Sequence, residues 1–182
     1  MESKEKIQIM SEAEMSRTLA RLAQEIVERN NGTDGLALVG IRRRGVPLAQ
    51  RLAGIMGDLE RTPVPVGVLD INLYRDDFST VATQPIIQRT EISFPVSGKT
   101  IVLVDDVLYT GRTVRAAMDA LLDYGRPHAI QLCVLVDRGL RELPIEANYV
   151  GKYMQTTDKE SVEVQLTETD QQDCVVLSRE SS

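Results

Sequence analysis

The chain contains no tryptophan, only two cysteines and a single histidine. Two distant cysteines supply neither a disulfide framework nor a metal-ligand cluster, and Cys133 and Cys174 adjoin apolar runs in which a small buried thiol is expected. The histidine, His128, follows a proline in a predicted loop, and we interpret it as a surface residue rather than an acid–base catalyst. The sequence therefore gives little support for thiol, metal-cage or histidine-based chemistry.

Long apolar runs are also missing. No stretch approaches the roughly 20 apolar residues that a membrane span needs, and the first residues, MESKEKIQIM, lack the apolar segment of a signal peptide. We therefore expect no membrane partner and a cytoplasmic location.

Positive charge is in deficit. The 182 residues include 27 acidic and 21 basic side chains, giving a net charge of -6 and an isoelectric point near 4.9. This balance argues against non-specific binding to nucleic acid but is compatible with a local basic face. The length suits one domain with a sizeable core.

Short apolar runs alternate with helical patterns. Ser11 and Glu14 form a capping box, and the apolar stripe that follows predicts a helix to about Asn30, whereas Pro47 begins a second predicted helix. The predicted strands lie at Leu36–Ile41 and within 64–73, 101–104, 130–136, 162–166 and 174–177. This alternation predicts an α/β fold with a parallel sheet flanked by helices, and the last strands suggest a smaller antiparallel addition at about 145–178.

The most informative stretch covers residues 100–113, TIVLVDDVLYTGRT. Its apolar run 101–104 is typical of a strand buried on both faces, and it leads directly into Asp105 and Asp106. Ligands of parallel sheets lie at the carboxyl ends of the strands, so we expect these carboxylates to face a ligand.

The loop after the two acids approaches a predicted helix. Thr110 and Thr113 supply hydroxyl groups, Gly111 lets the backbone come close, and a helix N-terminus offers free amides to an anion. Carboxylates suit a sugar diol and the loop suits a phosphate, so a phosphorylated sugar fits both. The alternative is an ordinary strand and helix whose acids act as caps, but adjacent acids on a dry strand are costly without partners.

A second candidate site is the loop GIRRRG at 40–45, which directly follows a predicted strand. Its spacing resembles the start of a nucleotide-triphosphatase phosphate loop, but Val46 and Pro47 stand where Lys and Ser or Thr are needed. We therefore expect an anion site without that chemistry, with a solvated basic turn as the alternative.

The run 100–113 resembles the phosphoribosyl diphosphate (PRPP) binding motif of type I phosphoribosyltransferases. The segments DINLYRDD at 70–77, YGRP at 124–127 and VLVDRGLRELP at 134–144 narrow the resemblance to bifunctional pyrimidine operon regulators and uracil phosphoribosyltransferases. The resemblance covers nearly the whole chain. It implies a single type I phosphoribosyltransferase domain over 1–182, with a small hood and a mobile active-site loop at about 74–98, where a polar segment of that length is usually functional or mobile.

The resemblance also assigns roles to individual residues. Asp105 and Asp106 hold the ribose hydroxyls and contact Mg2+ through water or substrate, and together with Arg43 and Arg44 they form the catalytic set. The 5'-phosphate loop comprises Val107, Leu108, Tyr109, Thr110, Gly111, Arg112 and Thr113. The diphosphate loop comprises Ile41, Arg42, Arg43, Arg44 and Gly45, and members of the family often have a non-proline cis peptide there. The mobile loop contributes Arg75, Asp76, Asp77 and Arg89, and the base contacts fall to Val136, Asp137 and Arg138.

The implied reaction is uracil plus PRPP giving UMP and diphosphate. Mg2+ would be held mainly by substrate oxygens, since the chain shows no dedicated all-protein cage. Purine members of the family carry an Asp at the position of Tyr109, so the tyrosine favours a pyrimidine. An unperturbed phenol has a pKa near 10, so Tyr109 is interpreted as a stacking or packing group rather than a base. A structural ion pair is the alternative for Arg138.

The resemblance further implies a homo-oligomer, dimer or higher, that binds the leader messenger RNA of a pyrimidine operon in response to UMP. Arg21, Arg141 and Lys152 suit phosphate contacts. RNA-binding members commonly carry Thr, His, His and Arg at the positions that are Ala20, Gln24, Leu140 and Glu146 in this chain. The alternatives are therefore a type I enzyme without RNA regulation or with another base, and a nucleotide-sensing RNA regulator without turnover.

Overall fold

The computed structural model describes residues 4–72, 74 and 89–180. The elements follow one another as β1 (Glu5–Met10), α1 (Glu12–Arg29), β2 (Leu36–Ile41), α2 (Gly45–Glu60), β3 (Val66–Leu69), β4 (Thr100–Leu108), α3 (Arg112–Leu122), β5 (Ala129–Asp137), β6 (Tyr149–Tyr153), β7 (Glu160–Gln165), α4 (Thr167–Asp170) and β8 (Cys174–Arg179).

The main sheet has the strand order β3-β2-β4-β5-β6, and every neighbouring pair is parallel. All six residues of β2 are buried, as expected for a strand covered on both faces. Helices α1 and α2 pack through Leu22 and Leu52 into one apolar cluster, whereas α3 packs through Leu121 into another. The predicted α/β fold with a parallel sheet flanked by helices is confirmed.

A second sheet joins the two ends of the chain. Its order is β1-β8-β7 and both pairs are antiparallel, with Glu5 opposite Arg179. Met10, Val164 and Val175 from this sheet enter the apolar cluster beneath α1 and α2. We call this sheet together with α4 the hood. The sequence patterns did not predict β1, because its alternating lysine, glutamine and isoleucine residues give only a short and weak strand signal.

Strand β6 differs from the sequence expectation. An antiparallel addition was expected from about residue 145, but β6 is parallel to β5, with Cys133 opposite Tyr149, and forms an edge of the main sheet. Only β7 and β8 of that region are antiparallel. The first part of the region therefore extends the main sheet rather than the hood.

Several boundaries also differ from the sequence expectation. The capping box of Ser11 and Glu14 is present, but α2 begins at Gly45, two residues before the proline, and continues through Gly57 to Glu60. Helix α2 ends where Arg61 adopts a left-handed conformation with φ of 53°. A glycine within a helix weakens it without ending it, which explains the difference at Gly57.

The described part of the predicted mobile loop packs against β3. The backbone amide and carbonyl groups of Val68 and Glu91 exchange hydrogen bonds of 2.8 Å, and Val96 is buried. The predicted loop residues Arg75, Asp76 and Asp77 lie outside the described residues. No helix within the described ranges is long and apolar enough to cross a membrane.

Candidate active site

Asp105 and Asp106 lie side by side on β4. The backbone amide of Asp106 donates a 2.9 Å hydrogen bond to Oδ1 of Asp105, and the amide of Val107 donates one of 2.9 Å to Oδ1 of Asp106. Pairing with β5 continues to Leu108, which lies opposite Asp137. The acids therefore lie within the strand rather than beyond its end as the sequence suggested, and the sheet fixes their backbone.

The two carboxylates have different surroundings. Asp105 is buried with 7 % of its surface exposed, whereas Asp106 is half-buried. Burial raises the pKa of Asp105 well above its ordinary range, and the adjacent charge of Asp106 raises it further. The backbone hydrogen bond from Asp106 opposes this rise in the pKa of Asp105. Asp105 therefore ionises less readily than an ordinary aspartate, and Asp106 beside it is more exposed to solvent.

A cavity follows the acids along the chain. Its volume is about 360 Å³, and it is lined by residues 107–114 and Glu142. Gly111 precedes α3 with φ of 92°, a left-handed conformation that favours glycine. Gly111 at the N-cap makes no side-chain cap, and the first turn of α3, which the structure describes in full, contains no acid. The amide of Arg112 is bound by the Thr110 hydroxyl, so the amides that follow it in the first turn are positioned to bind an anion in this cavity.

The segment after β5 supports this loop. The carbonyl oxygen of Thr110 accepts hydrogen bonds from the amides of Glu142 at 2.9 Å and Leu143 at 3.1 Å. The Thr110 hydroxyl accepts one from the amide of Arg112 at 3.2 Å. The loop is therefore held from both sides, which is suited to a preformed phosphate site.

The arginine loop reaches the acids through Gly45. A Cβ at this residue would clash with the carbonyl oxygen of Val104 and would lie 3.3 Å from Cα of Asp105, so only glycine allows this approach. The peptide bond between Arg42 and Arg43 is cis. The loop that was predicted to bind diphosphate therefore packs directly against the strand that carries the acids.

The three arginines of this loop have different surroundings. Arg42 donates to the carbonyl oxygen of Arg89 at 2.8 Å, and Arg44 forms an ion pair with Asp170 in α4. Arg43 is exposed, and its side chain makes no hydrogen bond or ion pair with another described residue. Asp170 was not predicted from the sequence, because it lies 126 residues from Arg44 in a short polar segment without a recognisable motif. Arg43 is thus the arginine of this loop that is most available to a ligand.

Arg89 also lines a separate cavity of about 1040 Å³ with Val68 and Tyr124. The lining contains neither of the two acids and no residue of the 107–113 loop. The structure therefore places Arg89 next to Arg42, in a cavity that does not include Asp105 or Asp106.

The predicted base-binding residues are largely engaged by the protein. Arg138 is buried and donates to the Thr156 hydroxyl at 2.9 Å and to the Glu160 carbonyl at 2.7 Å. Its guanidinium lies 4.0 Å from the centre of the Tyr109 ring, a cation–π contact. Asp137 forms an ion pair with Arg141 at 2.8 Å. Arg138 therefore supports the Tyr109 ring through this contact, and among the described residues it forms no ion pair.

Val136 is fully buried in the centre of the main sheet, between β4 and β6. Its side chain is thus part of the core, and its backbone is fixed by the neighbouring strands. The Val136 side chain is therefore not exposed to a base, and any base contact from β5 would be made by groups near the end of the strand.

The three basic residues predicted for RNA do not form one group. Arg21 donates to the Gly151 carbonyl at 2.6 Å, and Lys152 donates to the Ile9 carbonyl at 3.0 Å. Both residues border a shallow cavity of about 330 Å³. Arg141 lies elsewhere, where it also donates to the carbonyl oxygen of Tyr109. Arg21 and Lys152 are therefore brought together, and Arg141 supports the loop of the acidic site.

The possible metal donors at the site are few. Among the described residues, no cluster of three or more histidine, cysteine or acidic side chains could enclose a metal ion. Asp105 and Asp106 are the carboxylates on β4, and one oxygen of each accepts a backbone hydrogen bond. This donor set fits a hard cation such as Mg2+ that keeps several ligands from water and substrate.

A family model and curated relatives both match nearly the whole chain. Residues 8–169 match the family model for the phosphoribosyl transferase domain. The chain is 60 % identical over 175 residues to the bifunctional protein PyrR of Pelotomaculum thermopropionicum, covering 96 % of this chain and 97 % of that one. It is 58 % identical over 172 residues to the protein of the same name from Deinococcus radiodurans, covering 94 % of each.

Solved structures show the same fold at lower identity. A hypoxanthine phosphoribosyltransferase from Trypanosoma cruzi matches with a TM-score of 0.71 at 16 % identity, covering 95 % of this chain and 91 % of that one. One from Staphylococcus aureus matches with a TM-score of 0.69 at 19 % identity, covering 96 % and 91 %. These matches establish the arrangement of strands and helices.

Proposed function

The chain belongs to the phosphoribosyl transferase domain family and, within it, to the bifunctional PyrR proteins, and on this premise we propose that it converts uracil and PRPP to UMP and diphosphate. We also propose that it regulates a pyrimidine operon by binding leader messenger RNA in response to UMP. The observation that carries the enzymatic proposal is the packing of Gly45 against Val104, which brings the arginine loop beside the two acids.

In the proposed reaction, the bond between ribose C1 and the diphosphate oxygen breaks, and its electron pair leaves with diphosphate. Uracil N1 forms the new bond to C1, and its proton is released. The transition state has oxocarbenium character, so the negative charge of the nearby carboxylates of Asp105 and Asp106 stabilises the developing positive charge. Arg43 and the loop amides bind the leaving diphosphate. The protein contributes mainly orientation and fixed charge.

Mg2+ is proposed to bind with PRPP, where it neutralises charge on the diphosphate. Asp105 and Asp106 would contact it through water or ribose oxygens, in agreement with the small number of protein donors at the site. Tyr109 is proposed to pack or stack beside the base, with its ring supported by the cation–π contact with Arg138. These assignments place ribose at β4, phosphate at the 107–113 loop and diphosphate at the 41–45 loop.

The direct test of the enzymatic proposal is turnover with PRPP and Mg2+ and one of five bases: uracil, orotate, cytosine, hypoxanthine or guanine. We expect product with uracil and little with the others. Turnover of a purine but not of uracil would refute the base assignment. If none of the five bases led to release of diphosphate, the enzymatic proposal would be refuted.

Replacement of Asp106 separates its function from its contribution to folding. Asp106→Asn is expected to lower kcat by about 100-fold or more, because one fixed charge at the reacting centre is lost. Its thermal midpoint should not fall appreciably, since Asp106 is half-buried, an amide oxygen can also accept the backbone hydrogen bond from Val107, and the charge that is removed repels Asp105. Asp119→Asn on α3, which removes an exposed acid paired with Arg115, is the matched control and should keep wild-type turnover.

The regulatory proposal needs its own test. Arg21 and Lys152 lie together near an edge of the main sheet, whereas Glu146 would repel a phosphate. A shift of leader RNA at low salt that is strengthened by UMP would support regulation. Absence of the shift under those conditions would leave a purely catalytic protein. We further propose a cytoplasmic homo-oligomer, which sedimentation at several concentrations would test.

A further inference from the structure

Asp170 lies at the point where the hood meets the arginine loop. Its carboxylate accepts hydrogen bonds from Nε of Arg44 at 3.2 Å and from Nη2 at 2.8 Å. Such a two-point contact fixes the plane of the guanidinium as well as its position. Because Asp170 follows residue 169, it lies just beyond the segment that matches the family model.

Asp170 is itself firmly held. One of its oxygens accepts the amide of Leu166 at 2.9 Å and the hydroxyl of Thr169 at 2.6 Å. The side chains of Arg44 and Asp170 are only 29 % and 19 % exposed. Hydrogen bonding from Arg44 lowers the pKa of Asp170, so this carboxylate remains ionised at neutral pH. The hood thus presents a fixed anion to a residue of the arginine loop.

The ion pair leaves part of the Arg44 guanidinium for another partner. A guanidinium has five N–H donors, and the contact with Asp170 uses the edge formed by Nε and Nη2. Arg44 directly precedes Gly45, which packs on Val104, and it interacts electrostatically with Asp106. The N–H donors of Arg44 that Asp170 does not bind therefore lie on a guanidinium that is held near Asp105 and Asp106.

We propose that Asp170 is a positioning residue for diphosphate: it holds the Arg44 guanidinium at a fixed angle so that its remaining donors meet the diphosphate group. This inference rests on the proposed function, because it concerns the same site. It gives the hood a part in substrate binding on the diphosphate side, through a residue that touches no substrate itself.

A neighbouring contact provides a matched control. Asp173, in the same turn of the hood, accepts hydrogen bonds from Arg51 of α2 at 2.9 Å and 2.8 Å, and it also binds the amide of Thr167 at 2.7 Å. Its side chain is 14 % exposed, similar to that of Asp170. Asp173→Asn therefore weakens the attachment of the hood to α2 without releasing an arginine of the loop.

The test compares Asp170→Asn with Asp173→Asn in the full chain. Calorimetry with Mg2+ and diphosphate is expected to show about fivefold to tenfold weaker binding for Asp170→Asn, because a charge-assisted pair that orients Arg44 is lost. The KM for PRPP should rise by a similar factor while the KM for uracil stays unchanged. Asp173→Asn should keep wild-type diphosphate affinity. In an Arg44→Ala background, Asp170→Asn should have no further effect on diphosphate affinity.

Three results would overturn the inference. Equal losses of diphosphate affinity in the two variants would make the contact merely structural, and tighter binding by Asp170→Asn would mean that Asp170 withholds Arg44. Wild-type protein that binds no diphosphate would also refute it. If wild type binds diphosphate and Asp170→Asn weakens that binding, but no base is turned over, only the proposed reaction fails.

A milder variant covers the case in which Asp170→Asn does not fold. Thr169→Val removes the 2.6 Å hydrogen bond to Asp170 and leaves both charges in place. It should weaken diphosphate binding by about twofold to threefold, since the anion is less firmly held. Unchanged diphosphate affinity in this variant would contradict a positioning function for Asp170.

Discussion

Replacing Asp105 by asparagine should stabilise the fold while impairing the reaction. In the folded protein, burial and the adjacent Asp106 raise the pKa of Asp105 above the ordinary value of 3.8. An acid with a raised pKa binds its proton more tightly in the folded chain than in the unfolded chain, so ionisation at higher pH opposes folding. An asparagine has the same shape, carries no charge and keeps an oxygen for the amide of Asp106.

The expected gain follows from the linkage of pKa to stability. Each unit by which the pKa of Asp105 is raised corresponds to about 1.4 kcal/mol at a pH above the raised value. Because burial is the main cause of the rise, we expect Asp105→Asn to increase the free energy of unfolding at a pH above the ordinary pKa of an aspartate. For a chain of this size, each kcal/mol gained would raise the thermal midpoint by about 2–4 °C.

The pH dependence provides the sharper check. Well below the ordinary value of 3.8, Asp105 is protonated in both states, so the stability difference between variant and wild type should disappear. It should grow as the pH rises through the interval between the ordinary and the raised pKa of Asp105, and then level off. Urea unfolding from about pH 3 to pH 8 would measure this profile, with Asp119→Asn as the control for loss of an exposed acid.

Two results would refute this reasoning. A variant that is less stable than wild type at pH 7.5 would show that the carboxylate of Asp105 stabilises the fold. A stability gain that does not depend on pH would assign the effect to packing rather than to ionisation. Turnover by Asp105→Asn should be strongly reduced, so the expected gain in stability comes with a loss of activity.

Two further substitutions test the packing around the site. Gly45→Ala should destabilise the fold by about 1–3 kcal/mol and lower turnover, because the new methyl group would collide with the Val104 carbonyl, whereas Gly54→Ala in the same helix meets no atom within 4 Å and should be neutral or stabilising. Ser11→Ala should cost about 1 kcal/mol in urea unfolding through loss of the helix cap, and Ser16→Ala in the interior of α1 should not; equal effects of the two would contradict the capping argument.

Local patterns were sufficient to predict much of the fold. The capping box at Ser11, strand β2 and the start of α3 follow from residue types that have strong conformational preferences over a few positions. Strand β4 was predicted too short, because the apolar pattern ends at Val104 while pairing with β5 continues to Leu108. The polar end of β4 is therefore held in the strand by its pairing with β5 rather than by burial of apolar side chains.

The candidate site was predictable in part for the same reason. The acids and the loop after them lie in one continuous motif, so their proximity follows from the sequence. The pairing of Arg44 with Asp170 and the support of Tyr109 by Arg138 were not predictable, because they depend on how distant segments pack. The sequence identifies groups that can meet a ligand, but tertiary contacts decide which of them are already engaged.

The pairing of β1 with β8 has a consequence for the order in which the protein assembles. Glu5 meets Arg179, so this contact closes almost the whole length of the polypeptide, and contacts between such remote segments form slowly. During synthesis the main sheet can form first, whereas β1 can pair with β8 only after residues 174–179 have left the ribosome. A nascent chain would thus form β4 with its two acids before Arg44 pairs with Asp170, and its full affinity for diphosphate would come last.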